Sequence, residues 1–254
     1  MSESRISADN MAEVSEYLSG WIEKKVKQAG KSGGVVGLSG GLDSSVTAAL
    51  LYRAFPEHSL GLILPCESDP EDREDAYLAA ESIGIPVEEV QLDEVFQELL
   101  SRLQKVKPGS DKVAEGNIKP RLRMTVLYYL AARRDSLVIG TDNWSELTTG
   151  YFTKHGDGGI DIAPLGRLVK TEVKELAYHL GIPEKIINRQ PSAGLWEGQA
   201  DEKELGLSYE QIDNYILTGD AEKDVADRID NLYNNSRHKI ESPPVPEREK
   251  LLGA

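Results

Sequence analysis

Between residues 33 and 45 the chain reads Gly-Gly-Val-Val-Gly-Leu-Ser-Gly-Gly-Leu-Asp-Ser-Ser. The apolar run Val35-Val36-Gly37-Leu38 is short and bounded by glycine pairs, which suits a buried strand rather than a helix. Helical spacing begins at Asp43 and continues to about residue 55. A strand that passes straight into a helix through two glycines is a β–α step, and such steps build open parallel sheets.

The step recurs along the chain. Residues 60–64, 87–92 and 136–140 read as further strands. Between them, Asp69-Pro70 opens a helix with an N-cap acid and a first-position proline, Ala76, Ala79, Ala80 and Ile83 form its inner face, and Gly84 ends it. Asp93 is placed to cap a helix carrying Val95, Phe96, Leu99, Leu100 and Leu103, and residues 105–117 read as a polar loop. An amphipathic helix over residues 8–29 precedes the first strand, with Met11, Val14, Leu18, Trp21, Ile22 and Val26 at helical spacing. Residues 118–134 form a helix that is apolar on more than one face, either buried all round or also packed on a second subunit. Past residue 140 only loops and helices are expected. The fold class is therefore α/β, a mostly parallel doubly wound sheet with helices on both faces.

The charge balance excludes some functions. With 29 Lys+Arg against 43 Asp+Glu, the chain carries −14. A general nucleic-acid surface needs the opposite sign, although a local basic pocket for a small phosphorylated ligand remains open. The single cysteine, Cys66, rules out an intramolecular disulfide, a multi-cysteine zinc site and a two-thiol relay. It reads as a small buried residue at a strand end. His58 and His179 have no companions at metal-ligand spacing and are expected to be structural or solvent-facing. No run approaches the roughly 20 apolar residues of a membrane span, and the N-terminus shows no secretory signal. A cytoplasmic location is the expectation.

In open parallel sheets ligands bind beyond the carboxyl ends of the strands. Gly37-Leu38-Ser39-Gly40-Gly41-Leu42-Asp43-Ser44 lies at such a position. Its glycines let the backbone approach a ligand, and free N–H groups at the helix start favour an anion. Asp43 suits a phosphate site only if a cation neutralises both, which implies Mg²⁺. A plain glycine turn with serine caps would look the same locally. The loop lacks the lysine of the G-x-x-x-x-G-K-[ST] pattern. Its S-G-G-x-D-S sequence resembles the pyrophosphate loop of the ATP pyrophosphatases, which cleave ATP to AMP and pyrophosphate while adenylylating a substrate.

A second loop, from Gly140 to about Lys170, reads G-T-D-N-W-S-E-L-T-T-G-Y-F-T-K-H-G-D and then D-I-A-P-L and K-T-E-V. With the first loop and the run Ile118-Lys119-Pro120-Arg121-Leu122-Arg123-Met124, it is similar to the ammonia-dependent NAD synthetases over nearly the whole length. The resemblance implies one synthetase domain over 1–254, with an adenine nucleotide alpha hydrolase-like core at about 34–180 and a helical, loop-rich part at about 181–254. It implies ATP-dependent amidation of nicotinate adenine dinucleotide (deamido-NAD) by ammonia, through an acyl-adenylate, to NAD, AMP and pyrophosphate. Gly37 to Ser44, Thr141, Lys170 and Ser192 would bind ATP, with Asp43 and Glu146 holding Mg²⁺. Arg121, Lys154, Asp161, His238 and Lys239 would contact the dinucleotide acid. Lys170 would offset transition-state charge, and Asp157 would bind ammonium or take its proton. A two-fold homodimer is implied as well.

The resemblance also leaves free ammonia as nitrogen source, because residues 1–36 hold no amidase domain and Cys66 lies inside the synthetase part. The segment Pro65-Cys66-Glu67-Ser68-Asp69-Pro70-Glu71-Asp72 departs from the pattern of many bacterial members, so no contacts are carried over there. Residues 189–205 and about 235–248 read as loose loop and tail, or as segments that close over substrates. Rivals are another ATP pyrophosphatase, such as a GMP synthetase or a tRNA-thiolating enzyme, and an ATP-binding sensor. A sensor would not need Asp43, Glu146, Lys170 and Asp157 together.

Overall fold

The computed structural model describes residues 6–196 and 198–248. Residues 1–5, 197 and 249–254 of the expected synthetase unit lie outside the described residues. The glycine-flanked apolar run is β1 (Gly33–Gly37), and it sits inside the sheet. It pairs in parallel with β2 (Ser59–Ile63) on one side and β4 (Ser136–Val138) on the other. Strand β3 (Val87–Glu89) adds outside β2, giving the order β3-β2-β1-β4.

Successive side chains of a strand point to opposite faces, and both faces are covered. Val36 and Ile63 pack against α1 (Met11–Gln28), α2 (Leu42–Ala54) and α3 (Pro70–Ile83). Val35, Leu60, Leu62 and Val138 face α4 (Asp93–Val106), then, after α5 (Lys112–Gly116), the long helix α6 (Ile118–Arg133). The sheet is thus wholly parallel among the described strands and wound on both sides, as the sequence indicates. Past β4 come α7 (Trp144–Thr149), α8 (Lys170–Leu180), α9 (Glu184–Ile187) and α10 (Asp201–Leu205). The last two helices are α11 (Tyr209–Thr218) and α12 (Lys223–Ile240). Helices α8 and α9 join the core on the α1 side, through Val173, Leu176, Ala177, Ile186 and Ile187. Leu205, Leu207, Tyr209, Ile212 and Ile229 make a separate small cluster among α10, α11 and α12.

Several local expectations hold in detail. The Asp69 side chain accepts from the Glu71 N–H at 2.9 Å, and Gly84 ends α3 at φ 83°. Cys66 is fully buried against the α4–α6 side of the sheet, and burial pushes its thiol pKa up. His58 and His179 are exposed.

Other expectations need correction. Residues 105–117 are not all loop: the Asp111 carboxylate accepts from the Val113 and Ala114 N–H groups at 3.1 and 3.0 Å and starts α5. A helix of five residues is too short to show a period. Strand β3 ends at Glu89 rather than residue 92, although Val90 and Leu92 still donate to Ile63 and Pro65 carbonyls. Asp93 is the first helical residue, not the cap, and its carboxylate accepts the Glu67 N–H. The presumed tail from 235 is helical as far as Ile240. It is held where Gly150, at φ 66°, ends α7: a Cβ there would run into the Ser236 side chain. Helix α6 buries Lys119, Pro120 and Ala131 and leaves Tyr129 65% exposed, so this chain covers only part of its apolar surface. No described helix is long and apolar enough to cross a membrane.

Candidate active site

The chain leaves β1 toward β2 and β3 on one side and returns with β4 on the other, so the strand order reverses between β1 and β4. A crevice opens beyond the carboxyl ends of strands at such a point. Here it is a cleft of about 1290 Å³ that takes in the loop after β1, Thr141, Glu146, Asp157, Lys170, Ser192 and Lys239.

The loop after β1 is fastened by its own serines. Ser39 and Ser44 hydroxyls lie 3.0 Å apart, Gly41 N–H donates to Ser39 Oγ at 3.2 Å, and Ser45 Oγ donates to the Gly41 carbonyl at 2.8 Å. Gly40 adopts φ 80° with its Cα pressed on α3. The loop therefore delivers the start of α2, Leu42 to Ser44, to the cleft wall, and a helix N-terminus favours an anion.

Asp43 stands in the first turn of α2. Its Oδ2 is 2.5 Å from Lys170 Nζ, and its Oδ1 accepts from Asn143 Nδ2 at 2.8 Å. Asn143 also caps α7: its side chain accepts the Glu146 N–H at 3.0 Å, while Glu146 Oε2 accepts the Asn143 N–H at 3.1 Å. This reciprocal box aims Glu146 Oε1 at Lys170 Nζ, 3.2 Å away. Two carboxylates thus share one ammonium, all three side chains being at most 15% exposed. Burial alone would lower the Lys170 pKa, but Asp43 and Glu146 more than offset it and keep the group charged. Burial and the Asp43 charge raise the Glu146 pKa, against Lys170.

The base of this triad is held by Asp213 of α11, which the sequence reading did not single out. Its buried carboxylate accepts from Ser145 Oγ at 2.5 Å and from the Thr171 N–H at 2.8 Å, and Ser145 Oγ accepts the Lys170 N–H at 3.1 Å. One carboxylate therefore ties the starts of α7 and α8, which carry Glu146 and Lys170. Asn143 and Asp213 act on partners 100 and 68 residues away, and no local pattern signals such pairs.

Asp157 faces the cleft from the turn after Phe152. Its Oδ1 accepts the Thr153 N–H at 2.8 Å. Although accessible from the cleft, it is surrounded by protein, and this desolvation raises its pKa against its backbone donors and Lys239. Lys239 Nζ donates to the Gly150 and Phe152 carbonyls at 2.7 and 2.8 Å. Burial lowers the Lys239 pKa, and Asp157 opposes the shift. Ser192 also lines the cleft, and its Oγ accepts the Gly194 N–H at 3.2 Å. Its segment is tied to α3 by Arg189, which reaches Asp72 at 2.5 Å and Asp75 at 3.2 Å.

Arg121, Lys154, Asp161 and His238 do not line this cleft. They gather outside it along α6 and the end of α12. Arg121 Nε donates to the Lys154 carbonyl at 3.3 Å, Lys154 Nζ donates to the His238 carbonyl, and Asp161 accepts from Tyr128 OH at 3.1 Å. Arg123 was also not singled out. It borders the cleft and braces the divergent 65–72 loop through the Leu64 carbonyl at 2.9 Å and Ser68 Oγ at 3.0 Å.

The NAD synthase family model matches residues 14–243. The chain belongs to the NAD synthase family. It is 52% identical to the NH(3)-dependent NAD(+) synthetase of Carboxydothermus hydrogenoformans, over 93% of this chain and 98% of that protein. Among solved structures it is similar to the NMN synthetase of Francisella tularensis, with a TM-score of 0.89 and 36% identity over 93% of this chain and 98% of the other. It also resembles the NH3-dependent NAD synthetase of Campylobacter jejuni, with a TM-score of 0.76 and 29% identity over 93% and 99% of the two chains. The neighbours carry the same nucleotide alpha hydrolase-like architecture.

Proposed function

We propose that the chain amidates nicotinate adenine dinucleotide with ammonia, at the expense of ATP, giving NAD, AMP and pyrophosphate. The observation that carries this reading is the meeting of Asp43, Glu146 and Lys170 where the glycine loop opens. With a divalent cation held by the two carboxylates, that arrangement suits a triphosphate at a helix start. The dinucleotide acid's carboxylate attacks the α-phosphorus and pyrophosphate departs. Ammonia then attacks the acyl-adenylate carbonyl and AMP leaves. Gly37 to Ser44 cradle the phosphates, Thr141 and Ser192 flank the nucleotide, and Lys170 offsets the charge that accumulates in the first step. Asp157 holds ammonium and takes its proton. Much of the acceleration comes from positioning, since a carboxylate is already a nucleophile.

The donor set fits magnesium. Two carboxylates of hard oxygen donors already converge on one cation, the Lys170 ammonium. No third His, Cys, Asp or Glu joins them among the described residues, so phosphate oxygens and water would fill the remaining positions. Asp43 and Glu146 would hold the ion, which when bound neutralises triphosphate charge.

Arg121, Lys154, Asp161 and His238 would meet the dinucleotide acid beside α6, with Lys239 reaching in from the cleft. That flank is where the half-covered apolar surface of α6 supports a homodimer, so the acid would bind against the partner subunit. An active species sedimenting as a 28 kDa monomer would contradict this arrangement. We take the chain as one synthetase domain acting in the cytoplasm on free ammonia.

The likeness to an NMN synthetase supports a second reading, in which the acid is nicotinate mononucleotide. Both acids present the same nicotinate carboxylate. Supplying ATP and ammonium with each acid in turn separates them: the dinucleotide is expected to be turned over faster. Turnover of the mononucleotide alone would transfer the assignment, and turnover of neither would refute it.

A further inference from the structure

We propose that Asp142 is a second carboxylate of the ammonia site, which with Asp157 takes up the two protons that ammonium must lose to become an amide nitrogen. The inference rests on the synthetase reading and adds a residue to it. Asp142 follows β4 directly, is 4% exposed, and borders the cleft. Its Oδ2 has no hydrogen-bond partner among the described residues. A buried carboxylate oxygen left in that condition is costly, and such atoms in folded proteins usually have a partner or a task.

The buried ammonium of this cleft, Lys170, is shared between Asp43 and Glu146. Nor does Asp142 join those two as a third metal carboxylate among the described residues. Burial first, and then the charges of Asp157, Glu146 and Asp43, raise its pKa well above the ordinary carboxylate range. Asp157 has the Thr153 N–H and the Lys239 charge to offset it, whereas the Asp142 Oδ2 has no donor, so the cleft wall retains an acceptor suited to a small cation with several N–H donors. Approach of that cation favours the ionised form of both acids.

The proton count fits two acids. Ammonium must shed one proton to expose the lone pair that forms the C–N bond. The nitrogen of the tetrahedral adduct must shed a second. The acyl C–O bond then breaks, and its electron pair leaves with AMP. Acyl-adenylate plus ammonium thus gives amide, AMP and two protons, and each carboxylate accepts one. A carboxylate whose pKa is raised is the stronger base, which suits this task.

The test is Asp142→Asn in the full chain, compared with the unaltered protein in three reactions. The first is exchange of pyrophosphate into ATP with the acid substrate and no ammonium. The second is amidation with ammonium. The third uses hydroxylamine, which is neutral at neutral pH and arrives with its lone pair free. The ammonium reaction is expected to fall about 10²-fold or more. Exchange should fall far less, and the hydroxylamine reaction should be about 10-fold less affected than the ammonium one. An equal fall with both nucleophiles, an equal fall in all three reactions, or an undiminished ammonium rate would overturn the proposal. If the Asn variant does not fold, Asp142→Ser is read by the same ratios; if neither folds, the carboxylate is structural and the proposal falls. Absence of exchange in the unaltered protein would instead refute the synthetase reading.

Discussion

Lys170→Ala is expected to lower pyrophosphate exchange by about 10²–10³-fold, the usual cost of removing one preorganised charge from a reacting centre. The lysine is more than a phosphate contact. It lies 2.5 Å from Asp43 and 3.2 Å from Glu146, with only 11% of its side chain exposed, so its removal leaves two carboxylates facing each other. Stripping one partner from a buried ion pair costs about 3–5 kcal/mol, and the variant should melt lower by a corresponding amount. Magnesium should recover much of that melting temperature, because a divalent ion replaces the lost charge between the acids. It should not recover the rate, because the ammonium that meets the departing pyrophosphate is gone. A melting curve run with and without magnesium, and an exchange assay of the variant and the unaltered protein over rising magnesium, check the two halves separately. If magnesium restored both, Lys170 would be only a charge placeholder.

Gly40→Ala should be nearly as damaging from the opposite direction, by moving the phosphate loop instead of discharging it. Gly40 sits at φ 80°, a conformation that side chains resist at about 1–3 kcal/mol. A Cβ there would also be driven into the Asp72 carbonyl and to 3.0 Å from the Ala76 nitrogen. Both are backbone atoms of α3, and Arg189 pins that helix through Asp72 and Asp75. The loop must therefore give way. A displacement of about 1 Å at a reacting centre can cost about 10²-fold. The expected pattern is a raised KM for ATP together with a lower kcat. A variant with unchanged KM for ATP would show that the loop tolerates the shift and that Gly40 does not set the phosphate position.

How much of this was legible beforehand follows from the range of the interactions. Strand β1, its glycine loop and the Asp69-Pro70 cap are local: a few adjacent residues determine them, and they appear where the sequence indicates. Thr141, Glu146, Asp157, Lys170, Ser192 and Lys239 were also named in advance, and the fold brings them to the cleft with the first loop. The resemblance to a known family, not any spacing, made those residues readable. Asn143, Asp213 and Arg123 escaped notice because their work is to hold other residues from a distance. Asp142 lies in plain sight inside G-T-D-N, yet a surface aspartate and a buried one with an unpartnered oxygen are identical in sequence. The short helix α5 was missed for a different reason: one aspartate cap, not a period, creates it.

The central claim is that this cleft breaks ATP at the α-phosphorus to activate a nicotinate carboxylate. Phosphorus NMR of a reaction containing ATP, magnesium, ammonium and nicotinate adenine dinucleotide tests it directly. AMP and pyrophosphate should appear in equal amounts with NAD, and only when the acid is present. ADP and inorganic phosphate as the products would contradict the account.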